Sequence, residues 1–431
     1  MSITQTSEPA SPGGGQRSSQ AAVFRNPYVQ AIIASNMLLQ LGIWVRNIAI
    51  LLYVTDITND DPLYVSLISV AEFAPIFLFS FIGGTFADRW RPKRTMVWCD
   101  LLSAASVFVV LLTLVYGSWQ SIFFATLVSS MLSQFSMPSG MKLLKRHVSE
   151  DQLQSVMAIF QTIMAIFMVI GPIIGTFAYQ RYGINVSIGV MGAMFLCSAL
   201  VLAFLPKDEP SAAEASDDKH FRREMLEGFR YVFQRKVLKT LGGTFAIAGL
   251  AVGLIQPLMI FVTTLNLGMD KVFLQWLLMA NGAAMLIGGG LVFAISKKVS
   301  APKLLALGML ASAVCTAGIG WSTSVPLTIA FQVVNGLFFP CIHIGINTMI
   351  LQNSEESFVG RVNGVLNPMF MGMLVVGMTI AGALMKALSL FFVYAAGGVL
   401  FFLGMLLLVP LFKSGGGAAG AEANPLPKTA P

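Results

Sequence analysis

The sequence predicts an all-α polytopic membrane protein, with twelve transmembrane helices arranged as two pseudo-symmetric six-helix bundles. Of its 431 residues, 56% are hydrophobic and only 11% are charged, whereas soluble domains contain about 25% charged residues. The apolar residues fall in blocks of about 20, the length that a helix needs to cross about 30 Å of hydrocarbon. The ten-residue alternating segments typical of a membrane barrel do not occur in the sequence.

Twelve apolar blocks define the predicted spans, and turn residues or charged residues separate them. The connections are short except after the sixth block. The predicted spans are residues 28–54, 63–86, 95–116, 121–144, 154–178, 184–205, 238–265, 272–296, 302–321, 325–351, 360–384 and 389–412.

The predicted chain organisation is two nearly equal bundles, residues 28–205 and 238–412, joined by one polar linker. We expect the linker, 206–237, to be cytoplasmic and to contain an amphipathic helix on the membrane surface, because apolar residues alternate with charges in its second part. Residues 1–27 and 413–431 are rich in glycine, proline and other small residues, which predicts disordered cytoplasmic tails.

Weak internal similarity indicates that the two bundles arose by duplication. A Ser-Glu-Asp sequence at 149–151 follows span four, and a Ser-Glu-Glu sequence at 354–356 follows span ten. Gly171 in span five corresponds to Gly377 in span eleven. Repeated membrane halves are typical of secondary transporters rather than of membrane enzymes.

The distribution of basic residues predicts the orientation. Of the 27 Lys and Arg residues, only Arg181, Lys271 and Lys386 fall in loops on the face opposite the termini, and Arg46 falls inside a span. The positive-inside rule therefore places both termini in the cytoplasm. The same distribution explains the net charge of +7, so we expect no nucleic-acid partner.

The stretch from Gly84 to Arg94, after span two, carries the strongest functional signal. Asp88 and the neighbouring Arg and Lys side chains can form charge-assisted hydrogen bonds between helices, which would latch one conformation and release another. The alternative is a simple positive-inside anchor. Asp100, near the start of span three, is expected to pair with this basic loop from close to a helix N-terminus.

The same stretch resembles the G-x-x-x-D-R-x-G-R-(R/K) signature of the major facilitator superfamily. Gly84, Asp88, Arg89 and Arg94 match the signature, whereas Arg91 stands where the family has its second glycine. The resemblance implies a conformational latch at these residues. The equivalent loop of the second half keeps basic residues but has no aspartate.

Span five contains Gly171, Pro172 and Gly175, which predict a bent helix that packs closely against a neighbour. A kink without further function is the alternative interpretation. The pattern resembles the g-x-x-x-G-P-x-x-G-G motif of major facilitator antiporters, although Phe167 and Thr176 replace its first and last glycines. The resemblance implies export rather than uptake.

Two further stretches, residues 221–230 and 360–362, are similar to the drug-efflux group that contains macrolide exporters and the enterobactin exporter. The resemblance covers essentially residues 25–412. It implies a proton antiporter but indicates no particular substrate.

Arg46 and Glu72 are the two charged residues deepest in the apolar blocks. At 1.5 Å per residue, both lie roughly 12–14 Å below the face opposite the termini, so the side chains could pair. We expect them to form a proton-coupling or substrate site, because each charge costs about 2.5–3.5 kcal/mol at mid-membrane. A static structural ion pair is the alternative.

Scattered polar residues inside the spans could line a cavity or could pair between helices. His343 is either a neutral, hydrogen-bonded side chain or a residue with a gating or proton role. The candidate cavity residues are Gln40, Asn47, Gln256, Asn281, Gln332, Asn335 and His343.

The predicted function is export of an amphipathic organic compound, such as a macrolide-like drug, by proton antiport with alternating access. We expect a monomer in the bacterial plasma membrane, with small-molecule substrate, protons and lipid as its partners. The sequence has neither a phosphate-binding loop nor clustered metal ligands, so no enzymatic activity, cofactor or metal is expected. The alternatives are export of a siderophore or other secondary metabolite, lysophospholipid flipping, and a non-transporting sensor.

Overall fold

The computed structural model describes residues 26–206, 218–296 and 298–412. Within these ranges, the side chains of 80–89, 115, 150–151 and 218–224 are not described. The predicted tails, apart from residues 26 and 27, therefore lie outside the described residues. The described part of the chain is helical and contains no β-strand.

Long helices account for nearly all of the described chain, and several have a proline as their first or second residue, where its fixed φ suits the first helical turn. The helices are α1 Pro27–Ile57, α2 Pro62–Arg89, α3 Pro92–Val115, α4 Ser121–His147, α5 and α6 within Glu150–Ala203, α7 Asp218–Gln234, α8 Lys236–Ile255, α9 Leu274–Ser296, α10 Ala301–Trp321, α11 Val325–Asn353, α12 Val359–Ala387 and α13 Leu390–Leu408.

The range Glu150–Ala203 is two helices, because Gly183 interrupts it with φ 74° and ψ −176°. A side chain would be strained at this φ, so a glycine allows the chain to break here between α5 and α6. Within the described residues, ten helical segments are long and apolar enough to cross a membrane, and Gln152–Ala203 counts as one of them. When α5 and α6 are counted separately and α4 is added, the structure has twelve membrane helices. The prediction of twelve membrane helices is therefore confirmed.

Two elements differ from the predicted spans. Helix α8 becomes irregular after Ile255, passing through a 3-10 turn at Gln256–Leu258 and a π-turn at Val262–Asn266. Pro257 has no N–H to continue the α-helical ladder, which explains the break. Helix α2 continues to Arg89, so the predicted loop at 84–94 is reduced to about two residues before α3.

The chain divides into two compact units, one from Met1–Tyr53 with Leu78–Ala215, the other from Val54–Phe77 with Ser216–Pro431. The end of α1 and most of α2 therefore pack with the second half of the chain. The division into two duplicated bundles, residues 28–205 and 238–412, stays a prediction. The core of the first unit includes Leu143 and Leu202.

The second unit is built around the packing of α8 on α12 and α13. A Cβ added at Gly253 of α8 would lie 2.1 Å from the carbonyl oxygen of Leu374, so glycine permits a close approach to α12. Leu238, Phe245 and Met309 lie in the apolar core beside this seam.

Candidate functional site

The predicted latch is only partly visible. Gly84, Asp88 and Arg89 lie in α2, but their side chains are outside the described ones, so their contacts stay a prediction. Arg94 is exposed near the start of α3. Asp100 is buried, and its carboxylate accepts a hydrogen bond of 2.5 Å from the Ser198 hydroxyl of α6.

The expected pairing of Asp100 with the basic loop is therefore not what the structure shows. Its hydrogen bond goes to a neutral hydroxyl on α6, because the carboxylate points into the bundle rather than towards the start of α3. Among the described side chains, no basic residue is bonded to Asp100.

Arg46 lies on α1 inside the first unit and is only 4% exposed. Its Nη1 donates to the Ser129 hydroxyl of α4 at 2.7 Å. Nε and Nη2 donate to the Asn47 side-chain oxygen at 2.9 and 2.7 Å. Neutral oxygens thus hold the guanidinium in a fixed orientation between two helices.

Glu72 is half-buried on the part of α2 that belongs to the second unit. Arg46 belongs to the first unit. Pairing of these two side chains, and their role in proton coupling, stay predictions.

The Gly171-Pro172-Gly175 motif forms a close seam with α1 inside the first unit. A Cβ at Gly171 would lie 2.5 Å from the Trp44 ring, and one at Gly175 would lie 2.8 Å from Ile48. The two contacts flank Arg46 along α1. The seam therefore positions the helix that carries the buried guanidinium, and any larger residue would force the two helices apart.

The second unit contains a polar contact between α9 and α11. The Asn281 amide donates to the backbone oxygen of Gln332 at 3.0 Å and to its side-chain oxygen at 3.1 Å. The Gln332 amide in turn lies 3.3 Å from the Met259 sulfur, just after the break in α8. Gln332 is buried. Of the two predicted roles, lining a cavity or pairing between helices, its contacts correspond to pairing between helices.

The other candidate cavity residues are placed differently. Asn335 accepts a hydrogen bond from Ser312 at 3.1 Å, between α11 and α10. Gln256 and His343 are exposed, and the His343 ring packs edge-on against Phe339 at 5.2 Å. Gln40 is half-buried.

An ionic cluster that the sequence did not predict lies at the connection between α1 and α2, on the predicted outer face. We define it as Asp56, Asp60, Asp61, Lys271 and Lys386. The Lys271 ammonium lies 2.8 Å from a carboxylate oxygen of Asp56 and 2.7 Å from one of Asp60. Lys386, at the end of α12, lies 2.7 Å from Asp61. The cluster joins the α1–α2 connection to the start of α9 and the end of α12.

The backbone conformation of the α1–α2 connection positions these carboxylates. Asn59 and Asp60 have φ of 51° and 61°, a left-handed conformation that Asn and Asp tolerate better than most residues. One oxygen of Asp61 accepts the Leu63 N–H at 2.9 Å and so caps α2, while the other binds Lys386. Partial burial would raise the pKa of Asp61, but the hydrogen bonds from Lys386 and Leu63 and the charge of Lys386 together lower it.

A sequence signal for this cluster existed. Only three basic residues are predicted on the face opposite the termini, and two of them, Lys271 and Lys386, bind the acids. The three aspartates fall within six residues, Asp56–Asp61, of one loop that is predicted to face outward. Opposite charges confined to one membrane face indicate pairing between loops.

On the predicted cytoplasmic face, α7 packs against the start of α12 through a contact that we name the linker clamp. It comprises Glu227, Tyr231, Arg235, Glu355, Phe358 and Arg361. The Tyr231 and Phe358 rings stack at 4.2 Å, and the Arg235 guanidinium lies 4.2 Å above Tyr231. Arg235 also binds the Glu355 carboxylate at 2.6 Å.

The linker clamp brings together the two stretches that resemble the drug-efflux group. Arg361 lies 3.5 Å from Glu227, and a Cβ at Gly228 would lie 3.1 Å from the Arg361 carbonyl oxygen. Val232 is buried in the core of the second unit. The side of α7 away from this contact exposes Leu226 and Phe233.

Several bacterial proteins named for transport are similar to this chain in sequence. The uncharacterized MFS-type transporter YkuC of Bacillus subtilis is 25% identical over 360 residues, which cover 81% of this chain and 83% of that protein. The multidrug efflux pump Tap of Mycobacterium tuberculosis is 25% identical over 338 residues, covering 75% and 79%. Macrolide efflux protein A of Streptococcus pyogenes is 26% identical over 199 residues, covering 45% and 48%.

Solved transporters share the fold. A POT family transporter in complex with a thioalcohol-conjugated peptide superposes with a TM-score of 0.70 at 13% identity, covering 90% of this chain and 96% of that one. The nucleoside transporter NupG superposes with a TM-score of 0.69 at 13% identity, covering 90% and 99%. Residues 32–268 and 241–429 match the Major Facilitator Superfamily. The chain is therefore a multi-pass membrane transporter that belongs to the Major Facilitator Superfamily.

Proposed function

We propose that this transporter exports an amphipathic organic compound from the cytoplasm in exchange for inward-moving protons. The observation that carries the proposal is the seam between the Gly171-Pro172-Gly175 motif and α1, which flanks the buried Arg46. The relatives named for multidrug and macrolide efflux support the same direction of transport. The proposed setting is a monomer in the bacterial plasma membrane, with both termini in the cytoplasm.

In the proposed cycle, Glu72 carries the proton and Arg46 is the fixed cation. Arginine stays protonated in proteins, so it cannot release a proton itself. A carboxylate in the membrane can alternate between its ionised form and its neutral form, and it binds the proton with an affinity that depends on conformation. The latch residues Gly84, Asp88, Arg89 and Arg94 would control the change of conformation on the cytoplasmic face.

The ionic cluster supplies the opposite gate in this proposal. With the termini in the cytoplasm, Asp56, Asp60 and Asp61 face the outside, and their pairs with Lys271 and Lys386 close that side. These pairs must break before substrate can leave outward. Exposed ion pairs contribute about 1 kcal/mol or less each, which suits a gate that opens in every cycle.

Transport by the purified full chain in proteoliposomes tests the proposal. A growth-inhibition panel in an efflux-deficient host first identifies an exported compound, and an uncoupler should abolish the protection. We then expect Glu72→Gln to lose uphill transport driven by a pH gradient while keeping counterflow exchange. Glu356→Gln, an exposed carboxylate outside the spans, is the matched control. Full gradient-driven transport by Glu72→Gln would refute the assigned carrier.

A further inference from the structure

A buried chain of hydrogen bonds crosses three helices of the first unit, apart from Arg46 and the motif seam. Asp100 of α3 is 2% exposed and accepts the Ser198 hydroxyl of α6 at 2.5 Å. The Ser198 hydroxyl also lies 2.7 Å from the Ser35 hydroxyl of α1. Both serines are buried.

Few charged residues surround this chain of hydrogen bonds. Asp100 is the single charged residue in residues 95–115 of α3, and neither α1 before Arg46 nor residues 184–203 of α6 contain any. Helix α5 carries charges only near its ends. The titratable neighbours in sequence are the thiols of Cys99 and Cys197, which are neutral unless strongly activated.

The basic residues of the packed helices lie nearer the termini. On α4, Gly140 packs against Met96 of α3, one turn before Asp100, so Lys142 and Lys145 lie further along towards that face.

Lys93 and Arg94 precede Asp100 on its own helix by about two turns. The Lys93 ammonium donates to the carbonyl oxygens of Ala203 and Leu205 at the end of α6. Arg94 is exposed. Within the described part of the chain, the hydroxyl of Ser198 is thus the bonded partner of a carboxyl group that is shielded from water.

An ionised carboxylate is poorly stabilised in such a place, whereas a carboxylic acid is not. We propose that Asp100, Ser198 and Ser35 form a proton-binding site of the first unit, distinct from Glu72, whose occupancy changes during transport. The inference rests on the proposed proton antiport. The proton adds to a carboxylate oxygen of Asp100 and leaves from the same O–H bond to water.

Proton binding reverses the direction of the hydrogen-bond chain. The ionised carboxylate can only accept, so Ser198 donates to it and Ser35 donates to Ser198. The neutral carboxyl group can donate to Ser198, which then turns its own proton towards Ser35. The charge of Asp100 is thereby linked to α1, the helix that carries Arg46 and the glycine seam.

A proton-binding measurement without substrate tests the site directly. Tryptophan fluorescence of the purified full chain gives unfolding midpoints between about pH 5 and pH 9 for the wild type and Asp100→Asn. A folded state that holds the proton more tightly than the unfolded chain loses stability as pH rises. We therefore expect the wild-type midpoint to fall, relative to that of Asp100→Asn, as pH rises. A difference that is independent of pH would overturn the proposal.

Ser198→Ala provides a second variant that keeps the carboxyl group, and it decides the question if Asp100→Asn does not fold. Loss of the hydroxyl donor removes a bond that favours the ionised form. The pH-dependent loss of stability should therefore move to higher pH than in the wild type. An unchanged pH profile in a folded Ser198→Ala protein would mean that the serine contact is merely structural.

Transport measurements separate this inference from the proposed function. We expect Asp100→Asn to reduce gradient-driven uphill transport by about tenfold or more, with counterflow changed by less than about twofold. Unaltered gradient-driven transport by Asp100→Asn would exclude the site from coupling. Wild-type transport that ignores the pH gradient would instead refute proton antiport, while the unfolding profiles still decide whether Asp100 binds a proton.

Discussion

The two ends of α12 are held in different ways. At the end that is predicted to face outward, which we call the outer end, Lys386 makes an exposed ion pair with Asp61 as part of the ionic cluster. At its other end, the linker clamp adds ring stacking of Tyr231 on Phe358 to the pair of Arg235 and Glu355. Exposed ion pairs contribute about 1 kcal/mol or less and are screened by salt, whereas an aromatic pair contributes about 0.5–1.5 kcal/mol beyond its buried area and is not screened. The outer end is therefore suited to release, and the clamp is suited to hold.

The middle of α12 is held by close backbone contact with α8. Gly249 and Gly253 of α8 lie so close to α12 that an added Cβ would meet the carbonyl oxygens of Phe370 and Leu374 at 2.3 and 2.1 Å. Backbone cannot move aside as a flexible side chain can. Helix α12 thus has a fixed centre, one held end and one releasable end.

We expect the largest effect from a methyl group in the central seam. Gly253→Ala should destabilise the protein by about 1–3 kcal/mol, because the new Cβ forces the two backbones apart. Gly364→Ala on α12 is the matched control, since a Cβ there meets nothing within 4 Å. Unfolding midpoints measured in detergent compare the two. Equal midpoints for both variants would contradict the assignment of a rigid seam.

The next largest effect should come from the linker clamp. Tyr231→Leu removes the ring stack and the hydroxyl that accepts the Glu355 N–H at 3.1 Å. A stability loss of about 1–2 kcal/mol is expected from the stack and the hydrogen bond together. Gln234→Leu, on the exposed side of α7, is the control. Hydrogen exchange of residues 225–235 should rise in Tyr231→Leu and stay unchanged in the control.

Removing the lysines of the ionic cluster should change the stability of the protein less than the two substitutions above. It should nevertheless produce a measurable increase in local opening. Lys271→Gln with Lys386→Gln removes three ion pairs at 2.7–2.8 Å. We expect hydrogen exchange of residues 56–64 to accelerate by about fivefold, which corresponds to about 1 kcal/mol. Lys303→Gln, an exposed lysine at the start of α10, should leave that exchange unchanged. Equal exchange in both proteins would show that the pairs do not hold this side closed.

The sequence was sufficient for the fold because hydropathy and turn residues act locally. The twelve spans and the break near Gly183 follow from apolar length and from the glycine itself. The π-turn after Pro257 was not predictable, since the proline predicts a break but not how the chain repairs it.

Contacts between segments that are distant in sequence were harder to predict than the site residues themselves. The sequence identified Asp100 but gave its partner as the nearby basic loop, because local spacing says nothing about which hydroxyl of α6 faces α3. Ser198 lies 98 residues away, and only the rotation of both helices brings the two together. Lys386 and Asp61 are separated by 325 residues, so charge distribution alone could predict that they share a face but not that they touch.

The smallest expected effect is the pH response of the ionic cluster. It tests the pair of Asp61 and Lys386 without removing a lysine. The pKa of Asp61 is lowered by Lys386 and the Leu63 N–H despite partial burial. A group with a lowered pKa stabilises the closed arrangement above the ordinary aspartate value of about 3.9 and loses that contribution as pH falls below it. Exposure limits the contribution to about 1 kcal/mol or less.

Asp61→Asn isolates the charge in this test. Asparagine is as good an N-cap as aspartate, so the bond to the Leu63 N–H is expected to survive while the ion pair is lost. Exchange of residues 60–66, corrected for its intrinsic pH dependence, should rise in the wild type between about pH 6 and pH 3. The same corrected exchange in Asp61→Asn should be faster at neutral pH and nearly constant. A parallel rise in both proteins would assign the acid response to another carboxylate, and the outer end of α12 would then be held by contacts other than its charge.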